Sequence, residues 1–462
     1  MANAQEPFPL TAYGASGLLA RMAISPDHLS IAFTDKTLCT RCGTCAGVCP
    51  TGAITMGDDL YPVIDEDACI DCGLCTKTCP GGTVEYKHLT QITFGHDHDT
   101  DSFDGHVRET FVGKSTDPEI QARGAGGGII TGLLADLLEH KVVDGCIVTR
   151  MKPDQPWRGE AFIARTRTEL LQSQGSRYMI IPVNEVFALL RREQGRFALA
   201  ALPCQMHGYR LMQEACPELA GKIHLAIGLF CGGSLEPEVV TDLLKTKHLG
   251  RDDINGFEFR GGEWPGKMRA LLKNDTIRDM HYSNYKDGAY NYLISLYMPP
   301  RCQTCLDGSG EFSDLSVSDA WTRDREGNYK FKGHSRILVR TERGAKALDD
   351  AVEAGAITTI CVSDDPSYRT HRIQTRRKGV NAPLRVARLK KAGRAVPTYD
   401  RDTPDHTKKD VIKERVISGL IGLSRFPRLR FLVIKFLTSS AAIPLIKLRL
   451  VLKKRKYQKL KR

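Results

Sequence analysis

Two stretches of the chain repeat one spacing, Cys-x2-Cys-x2-Cys-x3-Cys-Pro. The first holds Cys39, Cys42, Cys45 and Cys49 before Pro50; the second holds Cys69, Cys72, Cys75 and Cys79 before Pro80. Thiols at such a beat are metal ligands. A structural zinc takes two close cysteines and a second pair farther along the chain. Three cysteines at x2 spacings suit a 4Fe–4S cubane instead, because they wrap three irons and leave the fourth to a ligand from elsewhere. A cubane moves single electrons and does no chemistry on an organic substrate. The rest of the chain must supply that chemistry or a docking surface.

Over about residues 33–88 the pattern resembles bacterial-type two-cluster ferredoxins. In those proteins the fourth cysteine of each run serves the other cluster. The resemblance implies one 4Fe–4S cluster on Cys39, Cys42, Cys45 and Cys79, and a second on Cys69, Cys72, Cys75 and Cys49. Gly43 and Gly73 let the backbone turn tightly around the inorganic core. Each proline fixes the chain direction as it leaves a cluster.

Four more cysteines stand apart. Cys204 and Cys231 each follow a short apolar run, "FALAALPC" and "IHLAIGLFC". That is the carboxyl edge at which α/β sheets bind ligands. Cys302-x2-Cys305 adds a pair, and the four together make a complete thiolate set. Buried free thiols plus a zinc-binding pair explain the same residues. Cys146, Cys216 and Cys361 have no partner spacing and read as inert.

"GAGGGIITGLLADLLEHKVVDG" (124–145) is a glycine turn, then a helix with Leu133, Leu134, Leu137 and Leu138 on one face. Free amides at its N-terminus, with the helix dipole, form an anion cradle suited to the pyrophosphate of a flavin dinucleotide. The spacing is not G-x-G-x-x-G after a strand, and a tight turn needing no ligand explains it as well. Ser173, Ser176 and Arg177 form a second polar turn, open to a phosphate or to solvent. His207 reads as a structural histidine or a proton donor. Trp264 and Trp321 read as core packing or as partners of an isoalloxazine.

A chain of 462 residues with 41% apolar and 26% charged content divides into two or three soluble domains. The N-terminus lacks a basic start followed by an apolar core, so the 15 cysteines point to a reducing, cytoplasmic setting. Between the head and the body, "FGHDHDTDSFDGH" with His96, His98 and His106 reads as a solvated acidic connector. Residues 366–462 hold 28 Lys and Arg against 5 Asp and Glu, leaving 38 basic and 49 acidic residues elsewhere. An acidic body therefore carries a basic tail, which calls for an anionic partner. Arg428, Arg430, Lys435, Pro444 and Lys447 interrupt the tail too often for a spanning helix. Val416, Ile417, Leu420, Ile421 and Leu423 form an apolar stripe, as in a helix lying in a membrane interface or one packed on its own body. No nucleic-acid-reading module accompanies the charge, and no nucleic-acid partner is expected.

The cysteine head followed by "GGGIITGLLADLLEHKVVDG", "GSRYM", "PCQMHGYR", "FCGG" and "RCQTCLDGSGEFSDLSVSDAW" resembles the family of coenzyme F-420 hydrogenase/dehydrogenase beta subunits over about residues 33–375. The resemblance implies FAD at Gly126, Gly127, Gly128, Thr131, Ser176, Arg177 and Tyr178. It also implies a third 4Fe–4S cluster at Cys204, Cys231, Cys302 and Cys305. Gly126 stands where the family usually has serine, and Gly232 where histidine is frequent. Both changes remove contacts near the flavin.

The expected fold is α/β. An extension (1–32) precedes the two-cluster ferredoxin domain (33–88) and an acidic linker (89–110). A flavin-binding body (111–375) and a basic helical tail (376–462) follow. The expected activity is an oxidoreductase passing electrons between one-electron carriers and a two-electron carrier through FAD. The alternatives are a non-catalytic relay subunit, and a membrane-surface reductase. Ferredoxin or another redox protein, a small hydride carrier or substrate, and an anionic membrane surface are the expected partners, in the cytoplasm or at the inner face of the membrane.

Overall fold

The computed structural model describes residues 29–97, 103–284, 290–324, 328–365, 368, 373–403 and 405–459. His98 of the connector lies outside them.

Both cysteine runs fold alike. Arg41 (φ 56°) and Asp71 (φ 52°) are left-handed, as are Gly43 (φ 84°) and Gly73 (φ 69°). Each glycine starts a short helix, Thr44–Val48 or Leu74–Lys77. This turn aims amides at sulfur: Arg41 N–H donates to Cys39 Sγ at 3.3 Å, and Asp71 N–H to Cys69 Sγ at 3.5 Å. A hairpin of Ile54–Met56 and Pro62–Ile64 joins the runs.

The body is a mixed eight-stranded sheet of β1 (Glu109–Ser115), β2 (Gly145–Met151), β3 (Gly159–Ala164), β4 (Phe197–Ala201), β5 (Ile223–Leu229), β6 (Leu315–Asp319), β7 (Ser335–Val339) and β8 (Ile357–Cys361). Its spatial order is β8-β1-β7-β6-β5-β4-β2-β3. The middle strands β2, β4, β5 and β6 are parallel and the flanks antiparallel. Alternate side chains sort into two cores, one on each face. Ile147, Phe197, Leu199 and Ala201 join one; Cys146, Val148 and Ala198 join the other. Strands buried on both faces carry unbroken apolar runs, which is why β4 and β5 were legible. Helix α1 (Ile129–Glu139) covers one face through Leu133, Leu134 and Leu137, and α2 (Pro203–Ala215) the other through Met206, Tyr209 and Met212. An antiparallel sheet of Ile254–Gly261, Lys267–Leu272 and Ile277–Asp279 adds Phe257, Phe259 and Met268 to the core of Ile147 and Phe197.

The head is locked to the body. A Cβ on Gly47 would lie 2.0 Å from the Asn184 carbonyl, and one on Gly208 would lie 2.2 Å from Thr44 Oγ1, so neither position admits a larger residue.

The connector differs from the solvated segment expected. Arg340, fully buried, donates to the carbonyls of Asp104 (2.9 Å) and His106 (2.7 Å), and Phe103 packs beside Tyr86 and Phe312. The basic tail packs on the rest of the chain. Residues Ile373–Asn381 form a π-helix, α3 (Ala382–Lys391) follows, and Thr398–Tyr399 pairs in parallel with Thr83–Val84 of the head. Helices α4 (Lys408–Leu423), α5 (Pro427–Leu437) and α6 (Ile443–Lys459) end the described chain.

Candidate functional site

The thiols gather into three sets. Cys49, Cys69, Cys72 and Cys75 line one cavity with about 380 Å³ of empty space, together with Ile54 and Leu74. Cys39, Cys42, Cys45 and Cys79 form the second set. Burial pushes the Cys39 thiol up to about 12, against the hydrogen bond from the Arg41 amide, and Cys42 and Cys79 add to the rise. Burial also raises Cys45, and Cys42, Cys79 and Cys39 reinforce it. Both groupings follow the crossed pattern, in which each run lends its last cysteine to the other.

Cys204, Cys231, Cys302 and Cys305 line a third cavity, with about 640 Å³ of empty space. Their partial exposure faces this cavity. Cys204 opens α2 just past β4, and Cys231 lies just past the adjacent parallel strand β5. The loop after Cys305 closes on them, with Cys231 N–H donating to the Gly308 carbonyl at 3.0 Å. Burial raises the Cys204 thiol, and Cys42, Cys302, Cys231 and Cys305 each add to it. Cys42 of the head is thus near enough to act on Cys204 electrostatically. Among the described residues no three His, Cys, Asp or Glu side chains converge as they would on a single metal ion. The thiols surround a space instead, which suits a cubane.

The wall of the third cavity carries three cations: Arg41 at 3%, Arg301 at 4% and Lys378 at 2% exposure. Arg41 is paired with Glu236 at 2.7 Å. Arg301 donates to the Gly81 carbonyl (2.9 Å), the Pro80 carbonyl (3.1 Å) and Tyr399 Oη (3.0 Å). Since Pro80 and Gly81 follow Cys79, Arg301 ties the third set to the second. Asn184, with no exposed surface, is a second tie. Its Nδ2 donates to Thr44 Oγ1 (2.8 Å) and to the Gln205 carbonyl (2.8 Å), and its amide donates to the Cys42 carbonyl (3.0 Å).

His207 and Asp307 also face the third cavity, joined Nε2 to Oδ2 at 3.0 Å. Burial works to raise Asp307, but the bond and charge of His207 and the amide of Glu311 hold it at about 2. His207 is thus a fixed, buried dyad member.

The glycine turn and the Ser176-Arg177-Tyr178 turn come together. The Ile120 carbonyl accepts from Gln174 Nε2 at 3.0 Å, while Ile120 packs under Gly124 and Gly128. Gly128 is the left-handed N-cap of α1 (φ 72°), with no side-chain cap, so first-turn amides of α1 are left for an outside acceptor. Gly127 serves packing: its N–H donates to Ser335 Oγ at 3.0 Å, and a Cβ there would lie 2.4 Å from the Gly113 carbonyl. Gly126 faces Asp319, and Thr131 lies half-buried in the first turn of α1. Arg177 spends its terminal nitrogens on the carbonyls of Gln172, Ser173, Gln174 and Gly175, at 2.8–3.0 Å. Burial lowers it to about 10. Tyr178 packs edge-on to Phe259, with centroids 5.6 Å apart, and its carbonyl accepts from Leu235 N–H at 2.7 Å. Ser176 is half-buried in the turn.

Beside Gly126, Asp319 is gripped by Arg260 through contacts of 2.9–3.1 Å. Trp264 and Trp321 pack together with centroids 5.1 Å apart, and Tyr329 closes the group. The two tryptophans thus stack first on each other. Arg260, Asp319, Tyr329, Asn184, Arg301 and Lys378 were missed as site residues. Arg301 alone had a signal, since it directly precedes Cys302.

Three family models match the chain. Two describe the coenzyme F420 hydrogenase/dehydrogenase beta subunit, its N-terminal part at residues 110–188 and its C-terminal part at 194–365; the third is a 4Fe–4S dicluster domain at 33–96. The chain belongs to the family of coenzyme F420 hydrogenase/dehydrogenase beta subunits. It is therefore an oxidoreductase with a 4Fe–4S dicluster head. The coenzyme F420 hydrogenase of Methanothermobacter thermautotrophicus has a beta subunit 27% identical over 55% of this chain and 85% of its own length. The F(420)H(2) dehydrogenase of Methanosarcina mazei has a subunit 27% identical over 68% of this chain and 82% of its own. The coenzyme F420-dependent sulfite reductase of Methanocaldococcus jannaschii is 24% identical over 69% of this chain, which spans 46% of that protein's length. A chain of the F420-reducing [NiFe] hydrogenase complex from Methanosarcina barkeri shares the fold, with a TM-score of 0.51 and 21% identity over 65% of this chain and 98% of its own.

Proposed function

We propose that the chain converts between one-electron and two-electron carriers. Electrons pass between a ferredoxin-type partner and the dicluster head, through a third cluster on Cys204, Cys231, Cys302 and Cys305, to FAD at the glycine turn and a small hydride carrier or substrate. FAD when bound supplies the two-electron step and releases or collects electrons singly. The carrying observation is the tie between the second and third thiol sets through Asn184 and Arg301. This chain's residues hold the two sites rigidly side by side, which keeps the path dry and its length fixed.

The uncapped N-terminus of α1 supports an anion at the glycine turn. The engaged guanidinium of Arg177 favours a second reading, a relay with no flavin, because it leaves that residue only its buried Nε to offer a phosphate. Mixing anaerobic protein with reduced coenzyme F420, NADH, NADPH and reduced ferredoxin separates the two. Flavin bleaching with one of the hydride donors supports the converter. Cluster reduction by ferredoxin in protein devoid of flavin supports the relay.

The C-terminal helices are proposed to rest on an anionic membrane surface. Helix α4 is inverted: Glu414, 2% exposed, faces inward to Arg385 (2.9 Å), while Ile412, Val416 and Leu420 face out. Phe426, Leu429, Leu432 and Phe436 along α5, and Leu445, Leu448 and Leu452 on α6, are exposed at helical spacing. Ile421, Ile434 and Ile446 are buried, which seats the helices on the body. Residues 408–462 carry 17 Lys and Arg against 2 Asp and Glu, as an interfacial helix group requires. No single described helix is long and apolar enough to cross a membrane. The pair Pro427–Leu437 and Ser440–Arg449, bent by 72°, passes on length and composition.

A further inference from the structure

The segment after residue 365, where the family match ends, reaches back into the third cavity at several points. Arg377 Nη1 donates to the Gly232 carbonyl at 3.3 Å, directly after Cys231. Arg385 Nη1 donates to the Gln303 carbonyl at 3.0 Å, and Tyr399 Oη to the Thr304 carbonyl at 2.8 Å; both acceptors lie between Cys302 and Cys305. Arg401 forms a two-pronged pair with Glu311, both buried, on the loop that follows. The segments that carry Cys231, Cys302 and Cys305 are therefore each clamped by a residue between 377 and 401.

The same segment delivers a charge. Lys378 sits in the π-helix Ile373–Asn381, a rare form that recurs at functional sites. The wider turn places its side chain in the wall of the cavity that Cys231, Cys302 and Cys305 also line. Arg41 has a carboxylate partner in Glu236. The groups that act most strongly on Lys378 are the cavity thiols Cys305, Cys231 and Cys302. A cation buried to 2% exposure is costly unless a negative charge is paired with it, and a cubane on four thiolates is such a charge.

We infer that residues 373–401 form the closing wall of the third cluster site, and that Lys378 is a positive charge that this wall sets against that cluster, beside Arg301. The inference rests on reading Cys204, Cys231, Cys302 and Cys305 as cluster ligands. One-electron reduction adds one negative charge to the cluster. A fixed cation at its edge favours the reduced state and raises the potential, since net charge and hydrogen bonds to sulfur set that potential. The family core thus gains a potential-setting wall from a segment that its models do not include.

The test uses the full chain, purified anaerobically, with iron counted and each cluster followed by electron paramagnetic resonance during a redox titration. The wild-type protein is expected to hold about twelve irons. In Lys378→Met the third cluster's midpoint should fall by a tenfold change in its reduction equilibrium, about 59 mV for one electron. The two head clusters should not move, and Lys378→Arg should keep the wild-type midpoint. Full iron with an unmoved midpoint in Lys378→Met overturns the inference. About eight irons in the wild-type protein defeats the third-cluster reading instead, a separate outcome. If Lys378→Met sheds the third cluster, Lys378→Gln and Lys378→Arg decide. Retention in arginine alone supports the charge, whereas loss in both overturns it.

Discussion

Asn184→Ala cuts the tie between the head and the third thiol set. The side chain has no exposed surface, and its Nδ2 makes two hydrogen bonds of 2.8 Å, one to Thr44 and one to Gln205. A buried neutral hydrogen bond contributes about 1 kcal/mol net, and an acceptor left dry costs more. Two effects soften the loss. Thr44 Oγ1 keeps Cys42 Sγ at 3.1 Å, and Asn184 Oδ1, which has no partner of its own, leaves with the amide. The net is about 2 kcal/mol, borne locally at the joint, or roughly thirtyfold more frequent opening. Hydrogen exchange reads this directly, because the backbone amide of residue 184 is held by the Cys42 carbonyl at 3.0 Å. Protection at residues 182–186 and 42–47 should fall by about that factor, while strands β4 and β5 stay protected. Electron transfer from the head to the third site should slow in parallel. Unchanged protection at the joint would refute the reasoning that Asn184 fixes the two sites.

Three further outcomes are expected. Cys204→Ser should drop iron from about twelve to about eight per chain and leave the head's paramagnetic signals intact, as read by iron analysis and resonance spectra. Glu185 is pushed up to about 7 by burial, with Lys152 opposing and Glu160 adding. A raised carboxyl stabilises the fold fully below the unfolded value of about 4.3 and loses that contribution as pH rises through about 7. Glu185→Gln should therefore flatten the fall in apparent Tm between pH 5 and pH 8. The triple variant Leu420→Glu, Phe426→Glu, Leu432→Glu should no longer sediment with vesicles of anionic lipid while keeping its iron, and the wild-type binding should weaken with salt. Equal sedimentation of both proteins would remove the membrane reading.

What was legible in the sequence was whatever depends on local spacing. The two cysteine runs dictate their own turns through Gly43 and Gly73, and the apolar runs of β4 and β5 by themselves place Cys204 and Cys231 at strand ends. What was not legible depends on distant pairs. Nothing near Lys378 marks it as a cavity residue, since only the π-helix and the pairing of Thr398–Tyr399 with the head bring it there. The apolar stripe read as Val416, Ile417, Leu420, Ile421 and Leu423 splits in the fold. Ile421 turns inward beside Glu414, and Val416 and Leu420 turn outward, because Arg385 supplies a buried partner for that glutamate. The acidic connector looked solvated, yet Arg340 collects its carbonyls from just past the end of β7, more than 200 residues away. At the glycine turn, spacing alone did not separate Gly127, which packs against β1, from Gly128, which caps α1.

Iron, acid-labile sulfide and flavin per chain, counted on one anaerobic preparation, test the central claim most directly. Three wired cubanes and a flavin predict about twelve irons, about twelve sulfides and one FAD, with cluster signals appearing on reduction. Zinc in place of iron, or a colourless protein silent after reduction, contradicts it.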